Sequence, residues 1–269
     1  MTDLFEVEED HFLLGNTGVY QLEKFLGEGA FGKVAQCKKL GTNELFAIKI
    51  IKNKYKLVGE HELKVLQEIR QLDANEHSIV SFMDDFSYKN HTCMVFEMLE
   101  QSLFQFIKNR TTRYLELDEI RIVAKQLLAA LDGLKSINMV HCDIKMDNIM
   151  LVNHKSEPFR LKLIDFGLAK KANELKTGTK IQNLTYRAPE VILGLPLDER
   201  LDLWTVGYIL SYLYTGFLLH PKDCEYNVIR AMVAMQGMPD GFLLDRGIFS
   251  MTASLETPPS PPRGAGGSG

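Results

Sequence analysis

Residues 140–151, VHCDIKMDNIML, place an aspartate (Asp143), a lysine two positions on (Lys145) and an asparagine three beyond that (Asn148) in one short segment. Moving a phosphoryl group asks little covalent chemistry of a protein. It asks for a carboxylate at the attacking hydroxyl, positive charge on the phosphate in transit, and metal ions between the phosphates. Asp143 can accept the hydroxyl proton. Lys145 can point into the same site and neutralise the phosphate, and Asn148 can offer a neutral oxygen to magnesium. The run IDFG adds a charged oxygen ligand, Asp165; hard oxygen donors are what magnesium prefers. His141 has apolar neighbours and reads as a packing histidine that fixes the loop rather than as a base. Each of these residues alone could be a turn former or a solvated charge. The set, in this order, carries the reading.

GEGAFGKV sets Gly27, Gly29 and Gly32 in a G-x-G-x-x-G pattern, which lets backbone N–H groups approach phosphate oxygens. A dinucleotide-binding loop would open a helix and meet an acidic residue about 20 positions on. Here KVAQCKKL alternates as a strand. The loop therefore joins two antiparallel strands and covers a ligand as a flap; an ordinary glycine hairpin is the plainer alternative. Lys49, in FAIKI, alternates with apolar residues. Facing inward, it needs a partner, because an unpaired buried charge is very costly. Glu62 and Glu60 compete for that place. Glu62 is preferred, since it shares a helix face with Leu66 at i, i+4. A lysine on an exposed strand edge is the other reading.

These residues need elements to hold them. Residues 20–52 read as three strands separated by the glycine turn and a GTNE turn. Residues 58–71 read as a helix with Leu63, Leu66 and Ile69 on one face, and 92–99 as an apolar strand. Residues 118–136 carry Ile120, Val123, Leu127, Leu131 and Leu134 at helical spacing, with Asp118 as a capping candidate. LKLIDFG is a strand running into a turn, and LDLWTVGYILSYLYTGF is apolar nearly all round, as suits the middle of a helical lobe. A strand-rich front third followed by helices implies two lobes. No internal repeat is visible.

Composition sets the outer limits. With 269 residues and 45% hydrophobic content the chain can bury a large core. Its net charge of −4 holds no basic surplus for nucleic acid. The opening MTDLFEVEED has no apolar signal core, and VGYILSYLYTGFLL is too short and interrupted to span a bilayer. Cys37, Cys93, Cys142 and Cys224 lie far apart, which suits free thiols in a reducing compartment. From about residue 253, ASLETPPSPPRGAGGSG cannot build a core.

GEGAFGKV, FAIK, HCDIKMDN, DFG, RAPE and LDLWTVG together resemble the signature set of the eukaryotic protein kinases, in order, across residues 20–245. The resemblance implies an α+β, two-lobed fold: an antiparallel-sheet N-lobe over 20–99 and a helical and incomplete C-lobe over 100–249; the tail over 250–269 is expected from its composition to be disordered. It implies ATP in the cleft, held by Leu26, Gly27, Glu28, Gly29, Ala30, Phe31, Gly32, Lys33, Val34, Lys49 and Glu62. Phe96 would be the gatekeeper, with Glu97 and Leu99 offering backbone groups to adenine. Asp143 and Lys145 would be catalytic, Asn148 and Asp165 would hold Mg2+, and Asp202 would brace the catalytic loop from the central helix. The lysine of DIKMDN is the serine/threonine-kinase choice.

LGTNELFAIKI, KNHTCMVFEMLEQSL, YRAPEVILGLPL and MQGMP more narrowly resemble the homeodomain-interacting protein kinases, of the proline-directed group, to which Arg187 also points. The partners this implies are ATP and protein substrates, transcription regulators among them. It implies no direct contact with nucleic acid or membrane, a monomer, and residence in the nucleus or cytoplasm; KNKYK is too sparse for an import signal. A small residue before the catalytic aspartate is that family's habit, so Cys142 accords with it and is expected to be buried and inert. It stands where many kinases carry an arginine that pairs with a phosphate on the activation segment.

Three positions depart from the resemblance. Lys180 replaces a tyrosine that the family autophosphorylates. Asn183 replaces a serine or threonine that bridges the residues equivalent to Asp143 and Lys145, and the bridge is expected to survive with altered geometry. Glu190 is expected to lack its arginine, since Arg246, the last candidate, has surroundings that do not match. In TPPSPP, Thr257 and Ser260 are candidate phosphorylation sites, with a solvated linker as the plainer reading. A kinase-like module that binds nucleotide or a partner and transfers little phosphate stays open beside the active enzyme.

Overall fold

The computed structural model describes residues 7–249; the tail, with Thr257 and Ser260, lies outside the described residues. Six antiparallel strands form the front lobe in the order β1-β2-β3-β4-β6-β5. They are β1 (Phe12–Leu14), β2 (Val19–Glu28), β3 (Gly32–Lys39), β4 (Leu45–Ile51), β5 (Phe82–Tyr88) and β6 (His91–Glu97). The β5–β6 hairpin turns on Lys89 and Asn90, both at positive φ, as a two-residue turn matched to strand twist requires. Period-two alternation then sorts the side chains. On β4, Phe46, Ile48 and Ile50 pack into the sheet's own core with Tyr20, Leu22, Ala35, Cys93 and Val95. Lys49 is thereby turned to the opposite face.

Helix α1 (Lys56–Ile69) follows β4 and covers that opposite face. Its buried residues are Gly59, Glu62, Val65, Leu66 and Ile69, one stripe at helical spacing that carries Glu62 inward. The helix begins and ends two residues earlier than the sequence pattern suggests.

The back lobe is built from β7 (Gln101–Ser102), α2 (Leu103–Asn109), α3 (Leu117–Ser136), β8 (Met139–Val140), β9 (Ile149–Leu151), β10 (Leu161–Leu163), β11 (Lys170–Lys171), α4 (Pro189–Leu193), α5 (Arg200–Thr215), α6 (Glu225–Gln236) and α7 (Gly241–Arg246). Asp118 does not cap α3. The helix starts at Leu117, so Asp118 already lies inside the first turn and pairs with Arg121. Glu116 is the cap, in a reciprocal box with Glu119, whose carboxylate accepts the Glu116 N–H at 2.9 Å. The predicted inward stripe on α3 is buried at Val123, Leu127 and Leu134, with Ile120 and Leu131 partly buried against the same core. Gly133 lets the helix approach His77, whose ring would lie 2.7 Å from an added Cβ. Helix α5 is less enclosed than its composition suggests. It buries Leu201, Asp202, Thr205, Val206, Tyr208, Ile209 and Leu213 but leaves Leu203 and Tyr214 exposed.

One apolar core runs through both lobes. It joins Ile51, Leu66 and Met94 of the front to Leu103, Leu127, Leu151, Phe166 and Ile209 of the back. The cleft between sheet and helices is thus underpinned by continuous packing. No helix among the described residues is long and apolar enough to cross a membrane.

Candidate active site

Lys49 reaches from β4 into the cleft. Its Nζ donates to Glu62 Oε1 at 2.6 Å and to Asp165 Oδ1 at 2.8 Å. Burial disfavours the ammonium, but the two carboxylates outweigh it and hold its pKa above the ordinary value. Glu62 is almost fully buried, and burial pushes its carboxyl up against the pull of Lys49. Glu60 instead makes a surface contact with Lys56 at 3.8 Å. Partial desolvation works to raise the Asp165 carboxyl, yet the charge of Lys49 outweighs it and holds its pKa below the usual value. It sits at φ 62, a left-handed conformation that aspartate tolerates better than most residues. Phe166, fully buried, packs on the His141 ring at 4.9 Å, which anchors the turn that presents Asp165.

Across the cleft, Lys145 Nζ lies 2.6 Å from Asp143 Oδ2. Asn148 Nδ2 donates to the Asp143 carbonyl at 2.9 Å and to its Oδ2 at 3.2 Å. The three residues singled out in the sequence are therefore one cluster. Asp202, buried on α5, accepts the His141 N–H at 2.6 Å and the Cys142 N–H at 3.1 Å. Burial pushes its carboxyl up to about 7, against the pull of those two amides. The His141 ring accepts the Asp143 N–H at Nδ1 (3.2 Å), so its proton sits on Nε2 and is donated to the Ile164 carbonyl at 3.0 Å. Burial lowers its pKa and keeps it neutral. It ties the Asp143 loop to the Asp165 strand, as a packing histidine would. Cys142 is buried at φ 64 and burial pushes its thiol up, which suits the inert residue expected.

The glycine flap lies between β2 and β3, closed by Gly29 N–H donating to the Gly32 carbonyl at 2.9 Å. Gly32 needs its missing side chain: an added Cβ would stand 2.2 Å from the Ile50 carbonyl oxygen. Leu26 and Phe31 are exposed, and Phe31 stands edge-on to Tyr55 at 5.3 Å. Ala30 is exposed and Val34 half-buried. Glu28 points away to Lys52 at 2.6 Å, and Lys33 lies over the Phe25 ring at 4.8 Å. Lys33 Nζ also approaches Glu28 Oε2 at 3.9 Å across the turn.

At the hinge, Leu99 is buried in the shared core and Phe96 packs at 5.7 Å from Phe82. The Glu97 side chain accepts from Lys162 Nζ and from Ser81 N–H, both at 2.6 Å. Sequence reasoning missed Lys162, a buried cation on β10. The signal was present, since Lys162 alternates with apolar residues in LKLI just as Lys49 does in FAIKI.

The segment before α4 departs from expectation at Asn183. Its side chain folds back to accept the Thr185 N–H at 3.1 Å and caps the single turn Leu184–Tyr186. Among the described residues it makes no hydrogen bond to Asp143 or Lys145, so the expected bridge does not form. A short amide next to a free backbone N–H satisfies the local donor first. Glu190 makes no ion pair among the described residues, and burial pushes its carboxyl up. Arg246 instead lies over the Phe242 ring at 5.1 Å. Lys180 meets Glu225 at 2.6 Å, a partner that sequence reasoning did not name.

A family model for the protein kinase domain matches residues 20–250. Homeodomain-interacting protein kinase 2 of Mus musculus is 41% identical over 245 residues, covering 90% of this chain and 20% of its own length. Homeodomain-interacting protein kinase 1 of Caenorhabditis elegans is 41% identical over 228 residues, covering 84% of this chain and 27% of its own. Homeodomain-interacting protein kinase 4 of Homo sapiens is 40% identical over 232 residues, covering 85% and 38%. The chain thus spans well under half the length of these curated relatives. A curled antiparallel sheet over a helical lobe, a lysine–carboxylate chain across the cleft, and a family match to most of the sequence agree: the chain belongs to the protein kinase family.

Proposed function

We propose that this protein transfers the γ-phosphate of ATP to serine or threonine hydroxyls of protein substrates, with proline after the target residue. The observation that carries this reading is the Lys49–Glu62–Asp165 chain facing the Asp143–Lys145–Asn148 cluster. Asp143 accepts the hydroxyl proton and orients the attacking oxygen. Lys145 carries positive charge to the phosphate in transit, and Lys49, held by Glu62, positions the phosphates of ATP. The flap from Leu26 to Val34 covers those phosphates with backbone N–H groups, and the backbone of Glu97 and Leu99 receives the adenine.

The residues fit magnesium. Asn148 turns its amide N–H groups to Asp143, which leaves its oxygen for a cation. Asp165 is ionised and partly open to the cleft. Two oxygen donors are what a magnesium site uses when phosphates and water complete the shell. Bound there, magnesium would neutralise charge between the phosphates.

The relatives are named for interaction with homeodomains. That supports transcription regulators as substrates and the nucleus as the site of action. The resemblance supports a monomer without nucleic-acid or membrane contact.

Transfer of labelled γ-phosphate from magnesium-ATP to a serine/threonine-proline peptide tests the reading. Wild-type protein is expected to label the peptide and Asp143→Ala to lose the signal. A folded wild-type protein that binds nucleotide without transfer would overturn it in favour of a binding module.

A further inference from the structure

Residues 176–188 lead from β11 to α4, and one carboxylate gathers them. Lys180 Nζ lies 2.8 and 2.6 Å from the two oxygens of Glu225. Arg187 Nη1 donates to Glu225 Oε1 at 2.7 Å. The same guanidinium donates from Nε to the Ile181 carbonyl at 2.9 Å and from Nη2 to the Gln182 carbonyl at 2.7 Å. Arg187 therefore closes the segment on itself while Glu225 holds it. Lys180 Nζ also lies 4.3 Å from the Phe249 ring.

The linkage continues inward. Gln182, buried, accepts the Ala188 N–H at 2.9 Å and donates to the Leu201 carbonyl and Thr205 Oγ1 at 2.8 and 2.9 Å. Leu201 and Thr205 flank Asp202 on α5, which holds the His141 and Cys142 amides of the catalytic loop. Hydrogen bonds joined by the backbone of Gln182 and of α5 thus lead from Glu225 through Arg187 and Gln182 to the residue beside Asp143.

An isolated exposed pair of this kind contributes little. Three features set this one apart. One carboxylate serves two cations. Arg187 and Glu225 are 17% and 25% exposed, so their attraction is less screened than at the surface. Glu225 is the first residue of α6, where the helix dipole favours an anion.

We propose that Glu225 is a positioning residue: its carboxylate is the fixed anion that ties Lys180 and Arg187 to α6, so the segment is ordered by charge already in the chain, with no added phosphate. Cations gathered on an ordering phosphate are one way to fix such a segment; here the anion is supplied by a side chain at the start of α6. The proposal rests on the kinase reading of the site, so its test includes a readout that needs no catalysis.

Phosphatase-treated wild-type protein, shown by mass spectrometry to carry no phosphate on residues 165–190, is compared with Glu225→Gln, Glu225→Asp and Lys180→Met. The readouts are trypsin cleavage after Lys176, magnesium-ATP affinity, and kcat and KM for the peptide. Unphosphorylated wild type is expected to keep its full rate. Glu225→Gln is expected to cleave at least about fivefold faster at Lys176 and to lose about tenfold in kcat, with magnesium-ATP affinity unchanged. Glu225→Asp should recover most of both, and Lys180→Met, which removes one cation alone, should fall between. Wild-type cleavage and kcat in Glu225→Gln would overturn the proposal, as would loss of wild-type rate on dephosphorylation. If wild type transfers no phosphate, the kinase reading fails on its own and the cleavage comparison still decides the role of Glu225.

Discussion

Lys49 and Glu62 show what one buried pair asks of its neighbours. Glu62 is nearly inaccessible while Lys49 keeps access to the cleft. Removing the acid leaves a cation facing an apolar helix with Asp165 as its remaining partner. Glu62→Ala is expected to cost about 3–5 kcal/mol of folding stability, the penalty for breaking a buried pair from one side. Urea titration of both proteins checks it, and a loss below about 1 kcal/mol would place the pair among weak surface contacts. Lys162 and Glu97 repeat the arrangement at the hinge, where the lysine is the more buried member.

At the scale of elements, the N-terminal hairpin is tied to β5 by one acid. Asp84 accepts from Thr17 N–H at 2.9 Å, Thr17 Oγ1 at 3.0 Å and Asn16 Nδ2 at 3.2 Å. Burial works to raise its carboxyl, but these bonds outweigh burial and it titrates below its ordinary value of 3.8. The unfolded chain therefore takes up the proton first. The stabilisation is complete above the unfolded value and is lost as pH falls through the lower folded one. Thermal melts from neutral pH down to about pH 2.5 should show wild type losing stability below about pH 4. Asp84→Asn should be less stable at neutral pH and flatter over the acid range. An unchanged acid slope in the variant would assign the loss to other carboxylates.

The whole molecule is held by a core that crosses the cleft. Leu66, on α1, is fully buried in the cluster that also contains Leu127 and Ile209. The single tryptophan, Trp204, lies on α5 in the other lobe and reports from there. Leu66→Ala is expected to cost about 2–5 kcal/mol. Because the core is shared, tryptophan fluorescence and amide exchange on β4 should shift together in one transition. Two separate transitions, with Trp204 unmoved by the substitution, would show that the lobes unfold independently.

Local chemistry was legible in the sequence where several motifs occur together. The glycines of the flap, the inward lysine flanked by apolar residues, and aspartate, lysine and asparagine within six positions each allow a plainer reading alone, and it is the set in this order that points to phosphoryl transfer. Strands β2, β3, β4 and β6, helices α1, α3 and α5, and the Lys49–Glu62 pairing followed from local patterns, whereas β1 and β5 of the six-stranded sheet did not. What the tertiary structure decided are contacts between residues far apart in sequence. Glu225 stands 45 positions from Lys180, and Lys162 stands 65 from Glu97. No local pattern predicts such partners, because they are set by how α6 and β10 pack against the rest of the fold. Asn183 shows the converse: a nearer N–H, visible only once the backbone turned, took the side chain that was expected to reach the catalytic loop.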